Sequence, residues 1–345
     1  MRFKILFIAA LFYQSLLFSQ IGGRQALRFV TVPFQAQVAS SGGNAVSLNQ
    51  SSAFLTNNPG IFNSKFHQEV NFAFVDYIGD IKGGMASYAH NLENIGQLYA
   101  GMYYMNYGNF QRTNVLGEQN GNFTASDFMG IIAYTRQIDS LFSIGGSLKN
   151  IYAAYDNIYS YALLLDLGAY YLSKDKKTSA GITLNNIGHQ VKAFYSNEYV
   201  KMPFNISLGL SQKLGKAPLR FTFTMDNLQQ WNLIYDDGTL TPEQITKNKE
   251  KLLTLEKFLR HLTVAMAFLP SDNFFVELSY NYRKRKELKY SIVSTGFAGI
   301  AVGAGISIAK FKLSYARNVY NTTGAANIIS VSTNITKFTA SKTVK

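Results

Sequence analysis

Phe204-Asn205-Ile206-Ser207-Leu208-Gly209-Leu210-Ser211 alternates strictly, with Phe204, Ile206, Leu208 and Leu210 on one side and Asn205, Ser207, Gly209 and Ser211 on the other. Successive side chains of a β-strand point to opposite faces, so this stretch predicts a strand with one greasy face and one wet face. The same period returns in Phe221, Phe223, Met225 against Thr222, Thr224, Asp226. It returns again in Phe274, Val276, Leu278, Tyr280, Tyr282 against Glu277, Ser279, Asn281, Arg283, and in Phe311, Leu313, Tyr315 against Lys312 and Ser314. Ile329, Val331 and Ile335 oppose Ser330, Ser332 and Asn334 in the same way. The stretch Ser291 to Ala309 carries no charge and is long enough for a transmembrane helix. Its large residues Ile300, Val302, Ile306 and Ile308 nevertheless alternate with Gly299, Ala301, Gly303, Gly305 and Ser307, which favours a strand. The small face, with Gly299, Gly303 and Gly305, is expected to look inward and leave room in a lumen.

Extending this reading places strands near 66–76, 81–92, 96–107, 123–136, 141–151, 158–172, 177–188, 203–214, 219–227, 260–268, 273–283, 296–309, 310–318 and 325–336, about fourteen in all. The second to fourth carry fairly apolar residues on both faces. Joins after even-numbered strands are short, as at Glu93–Ile95 and Gln137–Ser140. Most joins after odd-numbered strands are longer, at 108–122, 189–202, 228–259, 284–295 and 319–324. Short periplasmic turns alternating with long external loops are the plan of an outer-membrane barrel. Hydrocarbon offers no partner to an open strand edge, so spanning strands must close into a ring. The fold class expected is all-β, a transmembrane antiparallel β-barrel spanning 66–336. A soluble sandwich would need polar outer faces.

Composition agrees with that class. The 345 residues are 47% hydrophobic but only 15% charged, with 26 Phe, 22 Tyr, 27 Gly and no Cys. Soluble domains usually carry about a quarter charged residues. Arg2 and Lys4 precede the apolar run Ile5–Leu17, which reads as a signal peptide over 1–19, cleaved after Ser19. The alternative, a membrane anchor, would be short for a span. Net charge then falls from +13 to +11, an excess suited to anionic lipid rather than nucleic acid in an exported protein. Residues 20–65 lack a long alternating run and suit an N-terminal plug near the periplasmic mouth, a disordered leader being the alternative. Thr241-Pro242-Glu243-Gln244 resembles a helix start with Thr as N-cap, so a short, partly amphipathic helix is expected in the 228–259 loop. Residues 337–345 are read as a C-terminal tail.

Catalytic patterns are missing. His67, His90, His189 and His261 lack metal-ligand spacing, and no nucleophile elbow, phosphate-binding loop or zinc motif occurs. A non-enzyme without cofactor is expected. The run Arg283, Lys284, Arg285, Lys286, with Lys289, falls at the external side, where it would meet a partner or the phosphates of lipopolysaccharide.

Gly22-Gly23, Leu27–Pro33, Ser41-Gly42-Gly43 and Asn57-Asn58-Pro59-Gly60 together resemble the N-terminus of the PorQ family of the type IX secretion system. Asn106-Tyr107-Gly108, Arg136–Phe142 and the block from Arg260 to Arg283 extend the resemblance over nearly the whole mature chain, and it is broadly similar to the FadL-like superfamily that includes PorV. Phe34-Gln35-Ala36-Gln37 departs from the Ser-Ala-Arg-like stretch expected there. The resemblance implies a fourteen-stranded outer-membrane protein of the attachment complex. That protein would anchor a PorZ-like surface partner, alongside PorU and PorV, for processing and lipopolysaccharide attachment of cargo. A FadL-like channel for hydrophobic molecules is the alternative on the same fold.

Overall fold

The computed structural model describes residues 25–196, 198–233, 254–287, 296–320 and 324–339. The leader at 1–19, the helix start at 241–244, Lys289 and the end of the tail lie outside them. Fourteen strands run Glu69–Asp76 (β1), Lys82–Leu92 (β2), Gly96–Thr113 (β3), Gln119–Gln137 (β4), Phe142–Tyr155 (β5), Ile158–Leu172 (β6) and Thr178–Lys192 (β7). They continue as Asn205–Lys213 (β8), Leu219–Met225 (β9), Leu262–Ser271 (β10), Phe274–Asn281 (β11), Ile300–Ile308 (β12), Phe311–Val319 (β13) and Ala325–Asn334 (β14). Every strand pairs antiparallel with its neighbours in sequence, and β1 also pairs with β14, so the sheet closes. Among the described residues no helix is long and apolar enough to cross a membrane.

Outward positions form the lipid face. Phe72, Leu148, Leu163, Leu208, Phe223 and Leu313 all project as exposed large apolar side chains, while inward Ser207, Ser211, Thr222 and Ser330 are buried. A contiguous greasy exterior of this extent is not sustained in water.

The lumen is filled, and it has two sides. Residues 25–66 fold inside as short turns plus one helix, Ala36–Ser40 (α1), every residue of which is buried. Against β2–β4 the filling is largely apolar: Phe34, Phe54 and Phe66 pack with Met85, Tyr99, Tyr103, Met105 and Met129. This explains the weak alternation in β2, β3 and β4, whose inner faces meet a hydrophobic core rather than water. Against the remaining strands polar contacts join apolar ones such as Leu164, Ala316 and Ile328. The Ala36 N–H donates to Ser330 Oγ at 2.8 Å, Ser40 Oγ to Glu277 at 2.5 Å, and Asn44 Nδ2 to Asp226 at 2.7 Å.

Several expected boundaries shift. The segment 108–122, read as a loop, is mostly a hairpin extension of β3 and β4, with bulges after Asn106 and Gln111. Beyond the bilayer both faces meet water, so alternation fades although backbone pairing continues. For the same reason β5 runs on to Tyr155 and β7 to Lys192. Strand β11 stops at Asn281 instead of 283, because the Asn281 side chain accepts from the Lys284 N–H at 2.9 Å and caps a helix, as Asn does at N-cap positions. Strand β12 begins at Ile300 rather than 296. Pro270 sits where the β10–β11 register shifts, a place that tolerates the missing N–H.

Candidate functional site: a chamber inside the barrel

Above the N-terminal filling, at the end of the barrel where the odd-numbered strands turn, lies a cavity of about 600 Å³. Phe34, Val38, Met85, Tyr103 and Met129 give it an apolar side, and Lys149, Asn185, Asn186 and Asp226 a polar one. Arg28, Arg283, Lys284, Glu287 and Tyr320 stand at its long-loop end.

Strand β5 places Lys149 inward, diagonal to Asp166 on β6. Their Nζ and Oδ2 are 2.7 Å apart, and both side chains are buried. A charge pair out of water holds only if its remaining valences are filled. Here Lys149 also donates to Asn186 Oδ1 at 3.0 Å, while Asp166 accepts from the Asn186 N–H at 2.7 Å and Ser147 Oγ at 3.1 Å. Asn186 reaches both because the β6–β7 register slips beside it and its φ is +61°. A second buried pair, Arg220 with Glu277 at 3.0 Å, anchors α1 through Ser40. The alternation placed Glu277 inward, but it did not reveal either pairing. The signal was a lone charge at an inward position of each of two strands close together in the barrel.

The described residues of the basic run, Arg283 to Lys286, are divided between the chamber and loop contacts. They lie on a six-residue helix, Tyr282–Glu287, here α3, since the loop before it carries Thr254–Leu259 as α2. Arg283 and Lys284 line the chamber. Arg283 Nε lies 3.8 Å from Glu287 Oε1, Lys286 Nζ 3.9 Å from Glu256 Oε1 on α2, and Arg285 donates to the Gly296 carbonyl. Among the described residues Lys284 Nζ has no hydrogen bond or ion pair, and it sits 5.1 Å from the centre of the Tyr320 ring. Burial, helped by the Arg283 charge, pushes its ammonium down to about 8, Asp226 and Glu287 opposing. Burial also raises the Glu287 carboxyl, against the pull of Arg283, Arg260, Arg28 and Lys284.

The three glycines expected to face the lumen have different uses. At Gly303 a side chain would sit 2.6 Å from Ser40 Cβ, so this glycine lets α1 approach β12. At Gly305 the space is occupied by the Phe275 ring. Gly299 precedes the strand in a left-handed conformation at φ +81°, where its carbonyl accepts from the Asn281 N–H. Sequence reading missed a further set, Gly145 on β5 and Gly168 on β6, which pair with each other and press on Asn58-Pro59-Gly60 from outside. No group of three or more His, Asp or Glu able to hold a metal occurs among the described residues.

No protein-family model matches the chain, and no curated protein matches it. Solved structures do. The toluene transporter TodX of Pseudomonas putida superposes with a TM-score of 0.56 at 11% identity, over 88% of this chain and 99% of that one. A TodX variant titled a monoaromatic hydrocarbon channel gives 0.58 at 11% identity and the same coverage. The monoaromatic hydrocarbon channel CymD gives 0.50 at 10% identity, over 89% of this chain and 97% of that one. At such identity the likeness defines the fold alone: a closed fourteen-stranded antiparallel barrel.

Proposed function

We propose that this protein is an outer-membrane barrel, exported by its leader, whose chamber admits small hydrophobic molecules from the external, long-loop side. The observation that carries the reading is the chamber itself: about 600 Å³, with an aromatic and methionine side for desolvating an apolar guest and a few polar groups to orient it. The fold shared with hydrocarbon channels supports the same reading. A second reading, a non-catalytic anchor of the type IX attachment complex holding a PorZ-like partner with PorU and PorV near lipopolysaccharide, draws support from the cations of α2 and α3 at that end of the barrel.

One strain serves both. Deletion is expected to lower uptake of a labelled monoaromatic hydrocarbon several-fold, with recovery by the wild-type chain. A Val32→Trp chain, which fills the chamber from a half-buried lining position, is expected not to restore it although the barrel assembles. Normal uptake in the deletion strain, with loss of cargo processing and surface attachment, would replace the channel reading by the anchor.

A further inference from the structure

A second concavity lies on the outer wall, over β4–β7, with a volume of about 570 Å³. Its floor follows from register. One outward row runs Tyr134, Gly146, Leu167, Leu184, and the next runs Arg136, Ile144, Ala169, Ile182. Gly146 and Ala169 put almost no side chain on the lipid face, so the wall is bare backbone between Tyr134, Ile144, Leu167 and Ile182. On the inner side of the same wall Gly145 lies against the N-terminal segment, where an added Cβ would meet the Pro59 carbonyl at 2.0 Å, so the wall is thin here.

The groove lies at the short-turn edge. Tyr134 Oη donates to the Ile95 carbonyl in the β2–β3 turn at 2.7 Å, and the Phe142 and Tyr171 rings are 5.0 Å apart beside it. Such aromatics mark the level of the lipid headgroups. At the same edge Arg136, one residue from the end of β4, is exposed, and its guanidinium has no hydrogen bond or ion pair among the described residues. An apolar slot the width of a side chain, ending at an unpaired cation at headgroup level, matches one chemistry: an acyl chain attached to an anionic phosphate.

We propose that this groove is a binding site for a phospholipid of the periplasmic leaflet, its chain lying over Gly146 and Ala169 and its phosphate on Arg136. The site depends on the barrel fold and the membrane, and is independent of what the inner chamber takes up. Two variants separate the two contributions. Arg136→Gln removes the cation. Gly146→Leu fills the slot from outside, since an added Cβ there meets its nearest atoms, Asp166 O and Leu167 Cδ2, at an ordinary 3.4 and 3.5 Å.

Native mass spectrometry of the full-length barrel, released from micelles containing dioleoylphosphatidylglycerol, reads the occupancy. One retained phospholipid per wild-type barrel is expected, with binding about fivefold weaker for Arg136→Gln and weakened at least as much for Gly146→Leu. Heat-modifiable gel mobility confirms that both variants fold. Equal retention by all three chains would overturn the site. So would equal retention of dioleoylglycerol, which lacks the phosphate, or a dimer that shields the groove.

Discussion

Gly145→Val is expected to cost the folded barrel at least ~3 kcal/mol, or to prevent its assembly. A Cβ at this position would lie 2.0 Å from the Pro59 carbonyl oxygen and 2.6 Å from that of Tyr134. Both obstacles are backbone, so no rotamer change relieves them. The contact matters because Asn58-Pro59-Gly60 is laid directly on the wall: Thr135 Oγ1 donates to the Pro59 carbonyl and Ser143 Oγ to the Gly60 carbonyl, each at 2.6 Å. A displaced turn would leave these buried groups unpaired, each costing about 1–3 kcal/mol. Gly146→Val is the control, one residue along and on the opposite face, where the nearest atom is 3.4 Å away. Urea midpoints followed by heat-modifiable mobility should fall for the first variant and hold for the second. Equal midpoints would show that the N-terminal segment is not seated on the wall.

Lys149→Met is expected to destabilise the barrel by about 3–5 kcal/mol, because Asp166 is left buried without its cation. The Ser147 hydroxyl and the Asn186 N–H remain, but neither carries charge. Removing both charges, as Lys149→Met with Asp166→Leu, is expected to recover most of the loss, since an apolar pair of similar volume often matches a buried ion pair. The same urea series measures all three chains. A double variant no more stable than the single one would mean that Asp166 is held by its hydrogen bonds alone.

Alternation was legible wherever one face of a strand meets lipid and the other a polar lumen, as in β8, β11 and β13. It weakened in β2–β4 because Phe34, Phe54 and Phe66 make that part of the lumen apolar too. It vanished in 108–122, where neither face meets lipid. The chamber was not legible. Its walls come from the N-terminal turns, the middle strands and α3, and nothing local in the sequence announces that Phe34, Lys149 and Lys284 share one space. The basic run was visible as charge, but its division between chamber and loop contacts depends on Asn281 ending β11 with a cap. The glycines on which the N-terminal segment rests were visible as residues and silent as to use, because the nearest atoms excluding a side chain there, the Pro59 carbonyl at Gly145 and the Asn58 side chain at Gly168, lie more than eighty residues away in the chain.

The central claim is that β8 and its neighbours show one face to lipid and the other to a filled interior. The chain has no cysteine, so single cysteines at Ser207, Leu208, Leu210 and Ser211 can each carry a spin label in reconstituted bilayers. The account predicts strong broadening by oxygen, which partitions into lipid, at 208 and 210, and weak collision with both oxygen and a water-soluble nickel chelate at 207 and 211. Equal collision rates at all four sites, or nickel access at 208 and 210, would contradict it.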